Sequence, residues 1–89
     1  MSIGLAINLI SQYTGALQGI AERIADAEAD VIEATVEKDK NKMKLVQQKL
    51  TMLKTLHGLL KDFIEFWKDV IKTTMALLKQ LNELAQGAR

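Results

Sequence analysis

The chain contains no cysteine, which removes disulfides, thiolate nucleophiles and cysteine-ligated zinc from consideration. It contains no proline, so no residue interrupts a long helix by lacking an amide proton. His57 is the single histidine, and one imidazole without thiolates does not make a typical transition-metal site. Aromatic residues are scarce: Tyr13, Phe63, Phe66 and Trp67 are the whole set. Residues 1–20 carry no charged side chain, and they lack the basic start of a cleavable signal peptide. Asn8, Ser11, Gln12 and Thr14 break the apolar content of that segment, so a membrane-spanning helix is not expected. A formal net charge of +1 gives no general attraction for nucleic acid, and no nucleic-acid partner is expected.

What is present is periodicity. Ile3, Ile10, Leu17, Ile24 and Val31 fall seven apart, as do Ala6, Tyr13, Ile20, Ala27 and Ala34, offset by three. This is the a/d pattern of a helical seam, here made thin by alanine. It stops at the polar run Glu37-Lys38-Asp39-Lys40-Asn41-Lys42, where Asp39 or Asn41 can cap a new helix. A turn here is preferred to a continuous helix. A second, longer apolar pattern runs from Met43 to Ala85.

Charge supports a fold-back at the polar run. Acids dominate residues 21–39, namely Glu22, Asp26, Glu28, Asp30, Glu33, Glu37 and Asp39. A hairpin sets them beside Lys42, Lys44, Lys49 and Lys54. The expected fold is therefore all-α: one antiparallel, coiled-coil-like hairpin domain over 1–89. Its helices are expected at about 3–37 and about 42–86, joined by a polar turn at about 38–42. Whether Gly58 bends the second helix is left open by the sequence.

The second helix is too apolar for one partner. Four rows of apolar residues cover roughly 200° of its circumference, where an ordinary surface helix needs a little over 100°. Val46, Leu53, Leu60, Trp67 and Leu81 form one row, and Met43, Leu50, Ile64, Ile71 and Leu78 another. Leu56, Phe63, Val70, Leu77 and Leu84 make a third, and Leu45, Met52, Leu59 and Phe66 a fourth. The C-terminal turns should also overhang the shorter first helix. The expected assembly interface is Leu45, Met52, Leu59, Phe63, Phe66, Trp67, Leu77, Leu81 and Leu84. The expected intrachain seam is Ile3, Ile10, Leu17, Ile24 and Val31.

No constellation points to catalysis. Asp26, Asp30 and Glu33 are helical neighbours, as are Asp62, Glu65 and Asp69, but neither group carries the Glu-x-x-His of helical di-iron sites. They read as solvated faces. Gly15 and Gly19 form G-x-x-x-G in a segment too polar to span a membrane, which suits close packing on another protein helix. No enzymatic activity, cofactor or metal is expected. A membrane-active helix using Phe63, Phe66 and Trp67 ranks last, because Asp62, Glu65 and Asp69 border that face.

Residues 39–78 resemble the C-terminal half of type III secretion needle proteins. The resemblance lies in the polar turn Lys38–Lys42, then Gln47, the step Lys49-Leu50, an apolar stretch, and Lys68-Asp69-Val70. The chain departs from that family in three ways: a turn without proline, a tryptophan at Trp67 and none near the N-terminus, and a longer C-terminal segment. The resemblance implies a secreted subunit, at the surface of a Gram-negative bacterium, that polymerises into a helical filament. The alternative is a small cytoplasmic chaperone or adaptor that binds another helical component of a secretion apparatus.

Overall fold

The computed structural model describes residues 3–87. The fold is an all-α antiparallel hairpin of two helices, α1 (Ile3–Glu37) and α2 (Lys40–Gly87), packed along their length. It is a rod of 77 × 16 × 15 Å.

Alternation of small and large side chains builds the seam. On α1, Ala6, Ala27 and Ala34 are fully buried, while Ile3, Ile10, Leu17, Ile24 and Val31 are half-buried around them. On α2 the facing residues are Met43, Leu50, His57, Ile64 and Ile71 (position a) and Val46, Leu53, Leu60, Trp67 and Thr74 (position d), all at least half-buried. Ile64 is the most enclosed of these. Because alanine fills most d places of α1, the helices approach closely but enclose few large side chains. Tyr13 and Ile20 are the exceptions, and the Tyr13 ring meets Phe63 edge-on with centroids 5.3 Å apart.

The connection is tighter than expected. Only Lys38 and Asp39 lie outside the helices, and α2 begins at Lys40. The Lys38 amide donates to the Thr35 carbonyl and the Asp39 amide to that of Ala34. This is a Schellman ending, which satisfies carbonyls that the last helical turn leaves free. It requires a left-handed residue, and Lys38 takes that role at φ 57°. Asp39 then caps α2: its Oδ1 accepts from the Lys42 amide at 3.1 Å, and its carbonyl accepts from Met43. The two residues thus terminate one helix and start the next.

α2 runs without interruption through Gly58. Its 48 residues span about 72 Å at 1.5 Å per residue, close to the full length of the rod, so no bend returns its end to the hairpin. α1 reaches only to the level of Thr74. Every residue from 75 to 87 is exposed.

Candidate assembly surface

The second apolar stripe of α2 lies beside the seam and has no covering element. Positions c and g of α2 hold Leu45, Met52, Leu59 and Phe66, and Leu56, Phe63, Leu77 and Leu84. All are exposed, from 41% for Phe63 to 72% for Met52. Their spacing alternates three and four residues from Met52 to Phe66, so they form a continuous ridge rather than scattered apolar positions. Beyond the end of α1, Leu78 and Leu81 would continue the seam itself but have no helix opposite them.

Two shallow depressions indent this side of the hairpin. One, of about 500 Å³, is lined by Leu45, Gln48, Lys49, Met52, Leu53 and Leu56. The other, of about 370 Å³, lies between the helices, with Ala16, Gly19, Ile20 and Arg23 on α1 and Leu56 on α2. Leu56 lines both and links them. Gly19 helps form the second because it has no side chain, and nothing within the hairpin comes within 4 Å of where its Cβ would stand. The same holds for Gly15. The close approach that G-x-x-x-G permits is therefore not used inside the hairpin.

Trp67, expected in the assembly interface, stands at the junction of the seam and the ridge. It lies at seam position d with Val46, Leu53 and Leu60, half-buried, and its Nε1 is buried without an acceptor. It stacks edge-on with Phe63 and Phe66, at 6.1 and 5.8 Å between centroids, and so backs the exposed ridge from behind. An arc as wide as that of α2 does not tell which of its rows faces α1. His57 is similar. Its place in the row of Met43, Leu50 and Ile64 puts it at the seam, half-buried.

Electrostatic pairing is narrower than the charge blocks suggest. Lys42 Nζ donates to Glu37 Oε2 at 3.1 Å and lies 3.7 Å from Glu33 Oε1. The Glu37 hydrogen bond, assisted by the charges of Glu33, Glu37 and Asp39, raises the Lys42 pKa above the ordinary lysine value, with desolvation opposing. These are the ion pairs among the described residues. Lys44, Lys49 and Lys54 lie along the acidic half of α1 without ion-pairing to it.

Of the needle-like residues, Gln47, Lys49, Lys68 and Asp69 are exposed and Leu50 is in the seam. Among the described residues, no group of three or more His, Asp or Glu side chains is placed to hold a metal ion. No described helix is long and apolar enough to cross a membrane. No protein-family profile matches the chain, and neither a curated protein nor a solved structure matches it.

Proposed function

We propose that this chain is a structural subunit that works by contact with other copies of itself, polymerising into a helical filament as type III secretion needle proteins do. The observation that carries this reading is the surface left over by the hairpin. A compact monomer of 9.9 kDa exposes about 5,200 Å² by the usual scaling of area with mass. This chain exposes 7005 Å². The excess, about 1,800 Å², follows from the rod shape, and it is about twice one partner's share of a standard protein–protein interface. The Lys49-Leu50 and Lys68-Asp69-Val70 elements add the resemblance, which carries with it secretion to a bacterial surface.

Sedimentation over a concentration series, followed by electron microscopy at high concentration, tests this directly. Concentration-dependent growth into filaments is expected, and a monomer at every concentration overturns it. Leu81→Asp is expected to preserve helicity while blocking assembly, since Leu81 touches nothing the hairpin needs. The chaperone alternative predicts a stable complex with a different helical protein and no secretion. Affinity capture together with a blot of culture supernatant separates the two.

A further inference from the structure

We infer that copies of this chain stack heterologously, the apolar ridge face of one lying on the lysine face of the next. This rests on the assembly reading above and adds which surface each copy offers to its neighbour.

The hairpin has two unlike broad sides. Positions c and g of both helices lie on one side, as the Lys42–Glu37 pair and the groove between Gly19 and Leu56 establish. That side carries the ridge of α2, with Lys49 near its start, and on α1 the acids Asp26, Asp30, Glu33 and Glu37 against Arg23. Position f, on the outer back of α2 between the ridge side and the opposite side, is occupied by Asp62, Asp69 and Glu83. Positions b and e form the opposite side. There α2 carries Lys54, Lys61 and Lys68 seven apart at position e and Lys44, Lys72 and Lys79 at position b, against the single acid Glu65, all exposed. On α1 the matching flank holds Ile7, Thr14, Ala21 and Glu28, and on α2 Glu65 stands between Lys61 and Lys68, so the side stays net basic rather than free of acids.

Charge decides between the two ways of covering the ridge. Laying ridge on ridge by a two-fold axis brings two acid-edged faces together, and like charges set against each other at an interface cost several kcal/mol. Laying the ridge on the lysine side sets Asp62 and Asp69, seven apart, against lysines with the same spacing. Steric room is present too: Gly58 lies on the lysine side with nothing within 4 Å of its Cβ position, where large ridge side chains of a neighbour can seat.

The area agrees. One partner's share of a standard interface is about 800 Å², so an excess of about 1,800 Å² corresponds to two contacts per copy. A two-fold dimer uses one. Two different faces on each copy give a head-to-tail contact, which propagates into an open filament unless its rotation happens to close a ring.

The test uses two charge-reversed forms of the full chain. In one, Lys54→Glu, Lys61→Glu and Lys68→Glu make both faces acidic; in the other, Asp62→Lys and Asp69→Lys make both basic. Each alone is expected to need about tenfold more protein to assemble than the wild type, by sedimentation and light scattering. Mixed in equal amounts they are expected to co-assemble, which also shows that both variants are folded. Unchanged assembly of the triple lysine variant, or failure of the mixture while the wild type polymerises, overturns the stacking and leaves the assembly reading standing. A wild type that stays monomeric overturns both.

Discussion

Tyr13 of α1 and Phe63 of α2 meet edge to face, 5.3 Å between centroids and 74° between planes, and form the aromatic contact between the two helices. Phe63 continues to Trp67 and Phe66, so a ladder of rings passes from the seam to the exposed ridge. The contact lies toward the open end of the hairpin, between the seam residues Ile10 and Leu17 of α1. A double-mutant cycle with Tyr13→Leu and Phe63→Leu is expected to give a coupling of about 0.5–1.5 kcal/mol in chemical denaturation, the usual value of an aromatic pair beyond its buried area. A coupling near zero would mean that the rings are held together by the helices and contribute nothing themselves.

Among the described residues, Lys38 is the one non-glycine residue in the left-handed conformation. A residue with a Cβ at φ 57° carries about 1–2 kcal/mol of strain that glycine does not. Lys38 is exposed and forms no ion pair among the described residues, so nothing is lost with its side chain. Lys38→Gly is expected to stabilise the hairpin by up to about 1 kcal/mol, once the greater freedom of glycine in the unfolded chain is counted. Asp39→Ala, one residue on, should do the reverse by about 1 kcal/mol, because it removes the acceptor that caps α2. Thermal unfolding of the two variants side by side reads both signs.

These two residues also mark where sequence reasoning stopped. The α1 seam was legible because Ile3 to Val31 repeat every seventh residue with alanines between, a pattern that fits one face only. The overhang was legible from helix length alone. The turn was placed correctly but drawn too long, since Lys40 to Lys42 look like loop and are in fact the first turn of a helix already capped by Asp39. No local signal marks a lysine that adopts a left-handed conformation, because glycine or asparagine usually takes that place. On α2 every apolar row had an equal claim to the seam, and the choice was made by the geometry of α1. Trp67 accordingly stands at the seam and, through Phe66, against the ridge as well. The ridge of Leu45, Met52, Leu59 and Phe66 was legible as surplus, and the asymmetry between its acidic edge and the lysine face emerged only once the hairpin fixed which positions share a side.

Lys42 makes stability at the turn depend on pH in a defined direction. Its pKa is raised in the folded chain by the Glu37 hydrogen bond and the acids around it. The folded state thus holds this proton more tightly, and the contribution is fully present below the unfolded lysine value, about 10.4. It is lost as pH rises through the raised value. Between about pH 7 and about pH 9 the clamp should therefore be constant, and above about pH 10 its loss should appear. Comparing melting curves of wild type and Lys42→Met across this range checks it: the difference should be small, constant at neutral pH, and should vanish in strong alkali. The pair lies at the surface, with the Lys42 side chain 38% exposed, so added salt should shrink the difference as well.

Gly58 separates a hinge from a cleft in the surface. It lies in the middle of α2 with no atom of the hairpin within 4 Å of its Cβ position, and the helix passes through it without a break. Inside a helix, glycine costs about 0.8–1 kcal/mol relative to alanine, and here no close packing within the chain compensates for that. Gly58→Ala is accordingly expected to raise monomer stability by about that amount, measured by denaturation at concentrations too low for assembly. The same variant at high concentration discriminates between roles. If α2 must bend at Gly58 to assemble, stiffening it will suppress assembly while raising stability. If the position serves as room for a neighbour's side chain, a single methyl should be tolerated, whereas Gly58→Phe, equally exposed in the monomer, should fill the space and block stacking. The stacking described above requires the second outcome.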